Sequence, residues 1–342
     1  MTQFKYDSLN LEQHAFRLVR LQQGVIEEVI RCELVHTIRD ENVIPYEAVS
    51  YTWGSTEKTD AIYIQGATLD VTRNLFLILH DLRYSKVDRY LWIDAICINQ
   101  DNVHERGHQV QQMKSIYSDA DRVLFCVGRP TGMTRILMSS LADLQNLTRG
   151  NNWTSDDPRW NWSWEIIQDK MKSEYPHLRD SQRQGLEYLL AQSWFHRVWV
   201  LQEVGNAKAA TVYCGRESIP ARVFSISPQL LGVQPNSHCQ AVLELMPGPL
   251  RKRSGQDKDY DLYSLLQKFS KAEAQDDRDK VYALLGLCRD SEASRFVPDY
   301  EKTVQEVIHQ TISHIYPHSR LNMPECPSFR RGLIRWLVGL PD

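Results

Sequence analysis

Residues 104–108 read His-Glu-Arg-Gly-His. On a helix, H-E-x-x-H can set two imidazoles on one face for zinc, with the glutamate as general base. Three features of this copy argue against that chemistry. Gly107 lowers helix propensity inside the motif. Arg106 would place a cation beside a divalent metal. No third ligand follows at a convincing spacing, and a catalytic zinc needs three. The sequence therefore predicts no metal. Glu105 is expected in the first turn of a helix, where a carboxylate complements the helix dipole, and both histidines are expected to face solvent.

A second chemically loaded position is Asp94, inside the apolar run LWIDAICI (91–98). An unpaired carboxylate in such a run is costly, so a cationic partner is expected, with Arg106 or Arg197 as candidates. Cys97, in the same run, has no activating neighbour and reads as an inert buried thiol. The charge run QDDRDK (275–280) reads as a helix start and a solvated face.

These residues need a scaffold. FRLVRL (16–21) and VIEEVIRCELVHTI (25–38) predict an N-terminal β-hairpin. YEAVSYTW (46–53) predicts a strand ending at the Gly54 turn, and AIYIQGATLDV (61–71) a tight hairpin about Gln65-Gly66. A helix is predicted over 74–84. LWIDAICI reads as a strand buried on both faces, followed by a helix over 103–118 and the buried strand RVLFCVG (122–128). Strand, helix, strand predicts a parallel sheet. Residues 148–162 read as an inserted loop, two helices follow, and ATVYCG (210–215) predicts the last sheet strand. From about 240 to 316 the pattern is helical, with DDRDKVYALLGL (276–287) as a capped helix start.

The chain has 342 residues and a formal net charge of −3, which disfavours broad binding to a nucleic-acid backbone. No apolar run approaches a membrane span, and the N-terminus has no secretory pattern. Seven scattered cysteines suit reduced thiols of the cytosol or nucleus better than a disulfide framework, and a cytoplasmic location is expected.

Three blocks occur in order: YEAVSYTWGS (46–55), LWIDAICINQDNVHERGHQVQQMKSIYSDADRVLFCVG (91–128) and SWFHRVWVLQEVGNAKAATVYCG (193–215). With FRLVRL and RCEL before them and DDRDKVYALLGL and VPDY (297–300) after, they resemble the fungal heterokaryon incompatibility (HET) domain. The resemblance covers about residues 10–316. In that family the Glu-Arg and Gln-Val pairs of NVHERGHQV are typical and the histidine positions vary, so HERGH reads as a family Glu-Arg pair between incidental histidines. Val49, Ser55 and Phe125-Cys126 depart from the usual pattern, and the tail after about 320 departs fully.

The resemblance implies a more distant likeness to TIR domains, with a flavodoxin-like parallel α/β core. On that basis the chain divides into an N-terminal hairpin region (1–45), a core (46–220), a helical extension (221–320) and a tail (321–342). Some TIR domains hydrolyse NAD with a glutamate in a W-x-x-x-E setting, and Trp199 and Glu203 have that spacing. The likeness implies Glu203 as the catalytic carboxylate, stabilising the cation that develops on ribose. Ser50, Trp53 and Gly54 fall at the carboxyl end of the first core strand, where open α/β sheets bind ligands. Asp94, Asn99 and Gln100 flank the end of the next strand. With Arg197 and Trp199 they complete the expected nucleotide site. No cofactor is expected, NAD being the candidate substrate. Two function classes stay open: a non-self recognition module that triggers cell death through a protein partner or self-association, and an NAD-cleaving enzyme.

Overall fold

The computed structural model describes residues 2–39, 41, 43–174, 178–253, 260–288 and 296–315. The strands are β1 (Ala15–Leu21), β2 (Arg31–Ile38), β3 (Glu47–Tyr51), β4 (Asp60–Ile64), β5 (Ala67–Val71), β6 (Arg89–Trp92), β7 (Arg122–Gly128), β8 (Ala210–Cys214) and β9 (Glu217–Pro220). The first helices are α1 (Arg73–Leu82), α2 (Asp94–Cys97), α3 (Val103–Asp119), α4 (Gly132–Leu147), α5 (Arg159–Glu174), α6 (Leu178–Leu190) and α7 (Val198–Asn206). They continue with α8 (Ala221–Phe224), α9 (Ser227–Leu231), α10 (Ser237–Leu245), α11 (Pro249–Arg253), α12 (Leu262–Lys268), α13 (Asp279–Leu285) and α14 (Val304–Ile315).

All nine strands form one sheet, in the order β5-β4-β2-β1-β6-β3-β7-β8-β9. The fold is α/β. At its centre β6, β3, β7 and β8 run parallel. Numbered along the chain, these four sit in the order 2-1-3-4, the beginning of a flavodoxin-like arrangement. Antiparallel strands close both sides: β1 pairs with β6 and β2 on one, and β9 pairs with β8 on the other. The expected N-terminal hairpin is thus part of the central sheet.

Local sequence explains most of these elements. β3 and β7 are buried almost throughout, as apolar parallel strands must be. The β4–β5 turn has positive φ at both Gln65 (51°) and Gly66 (83°), the geometry whose twist matches a tight hairpin. Asn102 caps α3 by accepting from Glu105 N, and Thr131 and Thr134 form a reciprocal cap on α4.

Several expectations are corrected. LWIDAICI is not one strand: β6 ends at Trp92 and α2 begins at Asp94. The run is buried in either conformation, so hydrophobicity could not separate the two. Asp94 Oδ1 accepts from Ala95 N at 2.7 Å, which favours the helical turn. The strand read over 25–38 is shortened to 31–38, because Arg83 binds the carbonyls of Val25, Glu28 and Val29 and holds that segment as a loop. The loop read over 148–162 ends at 158. α5 starts at Arg159, and Trp160 and Trp164 are buried. The strand β9 was not anticipated. The helix start in DDRDK lacks the expected side-chain cap: Arg278 holds the cap position without a capping bond, and Asp276 instead accepts from Arg278 N at 3.1 Å. The tail expectation falls outside the described residues.

The extension is interlocked with the core. A Cβ at Gly286 would lie 1.7 Å from Gln202 Nε2, and one at Gly205 would lie 2.2 Å from Leu287 Cδ2. α7 and the segment after α13 are therefore so close that a side chain at either glycine would force the facing Gln202 or Leu287 side chain to move.

Candidate functional site

The HERGH segment forms the first turns of α3. Glu105 is 2 % exposed and accepts from Arg17, which is 0 % exposed, at 2.6 and 3.1 Å. It also accepts from Asn99 N at 2.7 Å. Glu105 is in the first turn of α3, as expected, but its carboxylate is committed to a buried ion pair in the core, which the sequence reading did not anticipate. Sequence had not singled out Arg17 as its partner. The histidines diverge. His104 is exposed, as expected. His108, expected in solvent, is half-buried, and its Nε2 lies 2.9 Å from Gln13 O. Burial lowers its pKa.

A cleft of about 760 Å³ opens at the carboxyl ends of β3 and β6, a volume suited to a small molecule. Of the residues expected there, Trp53, Gly54, Asp94, Gln100, Arg197 and Trp199 line it. The loop after β3 turns at Gly54 with φ +75°, a conformation available to glycine. Trp53 Nε1 donates to Asp94 Oδ2 at 2.9 Å. Neither candidate cation forms an ion pair with Asp94 among the described residues. Arg197 instead donates to the carbonyl of Tyr51, and its charge opposes the rise that burial imposes on the Asp94 pKa. Arg106 lies over the Tyr300 ring, 4.6 Å from its centroid. Gln100 lines the cleft, but its amide donates to the Asp94 carbonyl at 3.1 Å.

Three expected residues do not reach the cleft. Ser50 is fully buried and accepts from Trp194 Nε1 at 2.9 Å. Asn99 serves the α2–α3 connection through its backbone N–H. Glu203 is 2 % exposed. It does not line the cleft, and its charge is coupled to Tyr51, Tyr117, Arg197 and Asp94. Burial pushes its pKa up to about 7, against the opposing charge of Arg197. Its Oε2 has no hydrogen-bond partner among the described residues.

Sequence reasoning missed the wall supplied by the extension. Glu273, Asp276, Asp279 and Tyr300 also line the cleft. Asp279 Oδ2 accepts from Trp199 Nε1 at 3.0 Å, and its Oδ1 accepts from the Tyr300 hydroxyl at 2.6 Å. Burial pushes its pKa up to about 6, with both hydrogen bonds opposing the rise. Arg278 pairs with Asp276 and donates to the carbonyls of Tyr300 and Lys302, which fixes this wall. The available signal was the pairing of DDRDK with VPDY, two segments already noted as ordered flanks.

The strand order reverses between β3 and β7. A second cavity of about 150 Å³ lies there and shares Thr52, Gly54 and Ser193 with the larger cleft. A ligand-binding crevice is expected at such a point.

No solved structure matches the chain. Heterokaryon incompatibility protein 6, OR allele, of Neurospora crassa is 26 % identical over 370 residues, covering 90 % of this chain and 53 % of that protein. The chain thus spans about half the length of the curated relative it matches. A family model described as heterokaryon incompatibility protein (HET) matches residues 46–203, from the residue before β3 to Glu203 in α7. The parallel strands β3, β6 and β7 and most of the cleft fall within that span, and over it the chain is similar to the HET family.

Proposed function

We propose that this chain acts in fungal non-self recognition, in keeping with the name of its Neurospora relative, and that its cleft binds NAD or a related nucleotide. The observation that carries the nucleotide reading is the composition of the cleft. Two indoles, two guanidinium groups, three half-buried carboxylates and the exposed Glu273 share it. Aromatic faces suit a base, arginines suit phosphates and carboxylates suit ribose hydroxyls. Cleavage of the nicotinamide–ribose bond is the reaction this set serves best, because carboxylates stabilise the positive charge that develops on the ribose. Cell death then follows from NAD loss or from the product, in the cytoplasm, with self-association or a protein partner as the trigger.

The test is incubation of purified protein with NAD, with nicotinamide release followed by chromatography. Release above the protein-free rate supports the reading. Its absence in both dilute and clustered protein counts against it.

A second reading, a non-enzymatic interaction module, is favoured by the burial of Glu203, which does not line the cleft. It predicts that Asp94→Asn, expressed in a fungal host, still triggers death as the wild type does. Loss of death in that variant, with the protein folded and at wild-type abundance, favours the nucleotide reading.

A further inference from the structure

Two carboxylates in the cleft are held in matching ways. Asp94, at the start of α2, accepts from the indole of Trp53. Asp279, at the start of α13, accepts from the indole of Trp199. Both are half-buried and both line the cleft, whereas Glu203 is buried and does not line it. A group that touches substrate must reach it, and in this structure Asp94 and Asp279 do.

Asp279 has the stronger credentials as the proton acceptor. Each of its oxygens takes one hydrogen bond from a neutral donor, Tyr300 on Oδ1 and Trp199 on Oδ2. A carboxylate oxygen has about two acceptor positions, so each keeps one for a substrate or a water. No ion pair neutralises Asp279 among the described residues. The nearest cations are otherwise engaged: Arg278 pairs with Asp276 at 2.6 Å, and Arg106 lies over the Tyr300 ring.

We infer that Asp279 is the general base of the cleft, that Asp94 holds the ribose, and that Glu203 is a positioning residue. The inference rests on the nucleotide reading above. In the step, the bond between ribose C1′ and the pyridinium nitrogen breaks, and its electron pair goes to that nitrogen, giving neutral nicotinamide. A water oxygen bonds to C1′, and Asp279 takes the proton this water loses. ADP-ribose and nicotinamide leave, and the proton passes to solvent. No oxidant or reductant is needed. Asp94 faces the positive charge that develops on the ribose. Glu203 acts through Arg197, which lines the cleft and whose charge acts on the Glu203 carboxyl.

Titration of Asp279 is governed by the groups around it. Burial and the like charge of Asp276 raise its pKa. Tyr300, Trp199 and the charge of Arg106 lower it. The base works deprotonated, so activity should fall as pH drops below about 6.

The experiment compares nicotinamide release by wild type, Asp279→Asn, Tyr300→Phe and Glu203→Gln between pH 5 and 8, with NAD binding by calorimetry and melting temperature for each. Asp279→Asn should lose a hundredfold or more of the rate, the usual scale for a lost general base, while still binding NAD. Tyr300→Phe removes one donor from Asp279 and should move the rising limb of the pH profile to higher pH, an effect that lost packing would not produce. Glu203→Gln should lose less than Asp279→Asn. If wild type cleaves NAD and folded Asp279→Asn cleaves it equally well, the inference fails and the nucleotide reading stands. An unmoved pH profile in Tyr300→Phe also overturns it. Wild type that binds NAD without cleaving it overturns the assignment of a base. Wild type that does neither overturns the nucleotide reading and the inference with it.

Discussion

Trp199 Nε1 donates to Asp279 Oδ2 at 3.0 Å across 80 residues of sequence. This bond joins α7 of the core to α13 of the extension in the wall of the cleft. Trp199→Phe keeps a ring but removes the donor. We expect a loss of roughly 2 kcal/mol, the scale of a hydrogen bond to a charged group, measured by urea denaturation at pH 8. An unchanged midpoint would show that the bond contributes nothing to stability.

Glu105 gives a sharper test of the opening motif. Glu105→Ala strands the Arg17 guanidinium, which is fully buried. Breaking a buried pair on one side costs about 3–5 kcal/mol, so the variant should melt far below wild type. His104→Ala, at an exposed position, should melt with wild type. A zinc site would reverse the pattern of sensitivity. Near-stoichiometric zinc in the purified protein, lost on His104→Ala, would refute the structural assignment of HERGH.

Gly286 tests the contact between the core and the extension. A methyl group there meets the buried Gln202 side chain at 1.7 Å. Gly286→Ala should therefore cost roughly 1–3 kcal/mol through overpacking. Gly107→Ala is the control, since its added methyl meets nothing within 4 Å and alanine favours a helix. That variant should be neutral or slightly stabilising. Equal melting temperatures for the two would contradict the packing described.

Glu203 makes stability depend on pH in a defined direction. Its pKa rises from the ordinary 4.5 to about 7 on folding. The folded state therefore keeps the proton to higher pH than the unfolded state does. The stability that this gives is full below pH 4.5 and is lost as pH rises through about 7, a difference of roughly 3 kcal/mol. Glu203→Gln removes this dependence. Relative to wild type, the variant should gain stability between pH 5 and pH 8. Asp279 adds a smaller dependence of the same sign that the variant retains. Parallel stability curves for wild type and Glu203→Gln would rule out a buried, proton-holding Glu203.

The sequence by itself determined the parallel core and the resemblance to the HET family. β3 and β7 are apolar runs bounded by turn residues, and α3 begins at a capping asparagine, so local chemistry fixes them. It also read HERGH as structural, and the buried pair of Glu105 with Arg17 gives the glutamate such a role. What it could not determine was which carboxylate faces the cleft. A four-residue spacing puts Trp199 and Glu203 near one helical face, but neighbours packed on that helix decide what each side chain meets. Trp199 meets Asp279, and Glu203 turns toward the sheet beside Tyr51. Asp94 was equally ambiguous, because a buried strand and a buried helical turn are apolar alike, and only the end of β6 at Trp92 brings its carboxylate to the cleft. Asp279 and Tyr300 belong to a charged run and a short flank with no periodic signal. Tertiary packing alone places them on the cleft wall, because burial and long-range contacts depend on the whole chain and not on any local stretch of it.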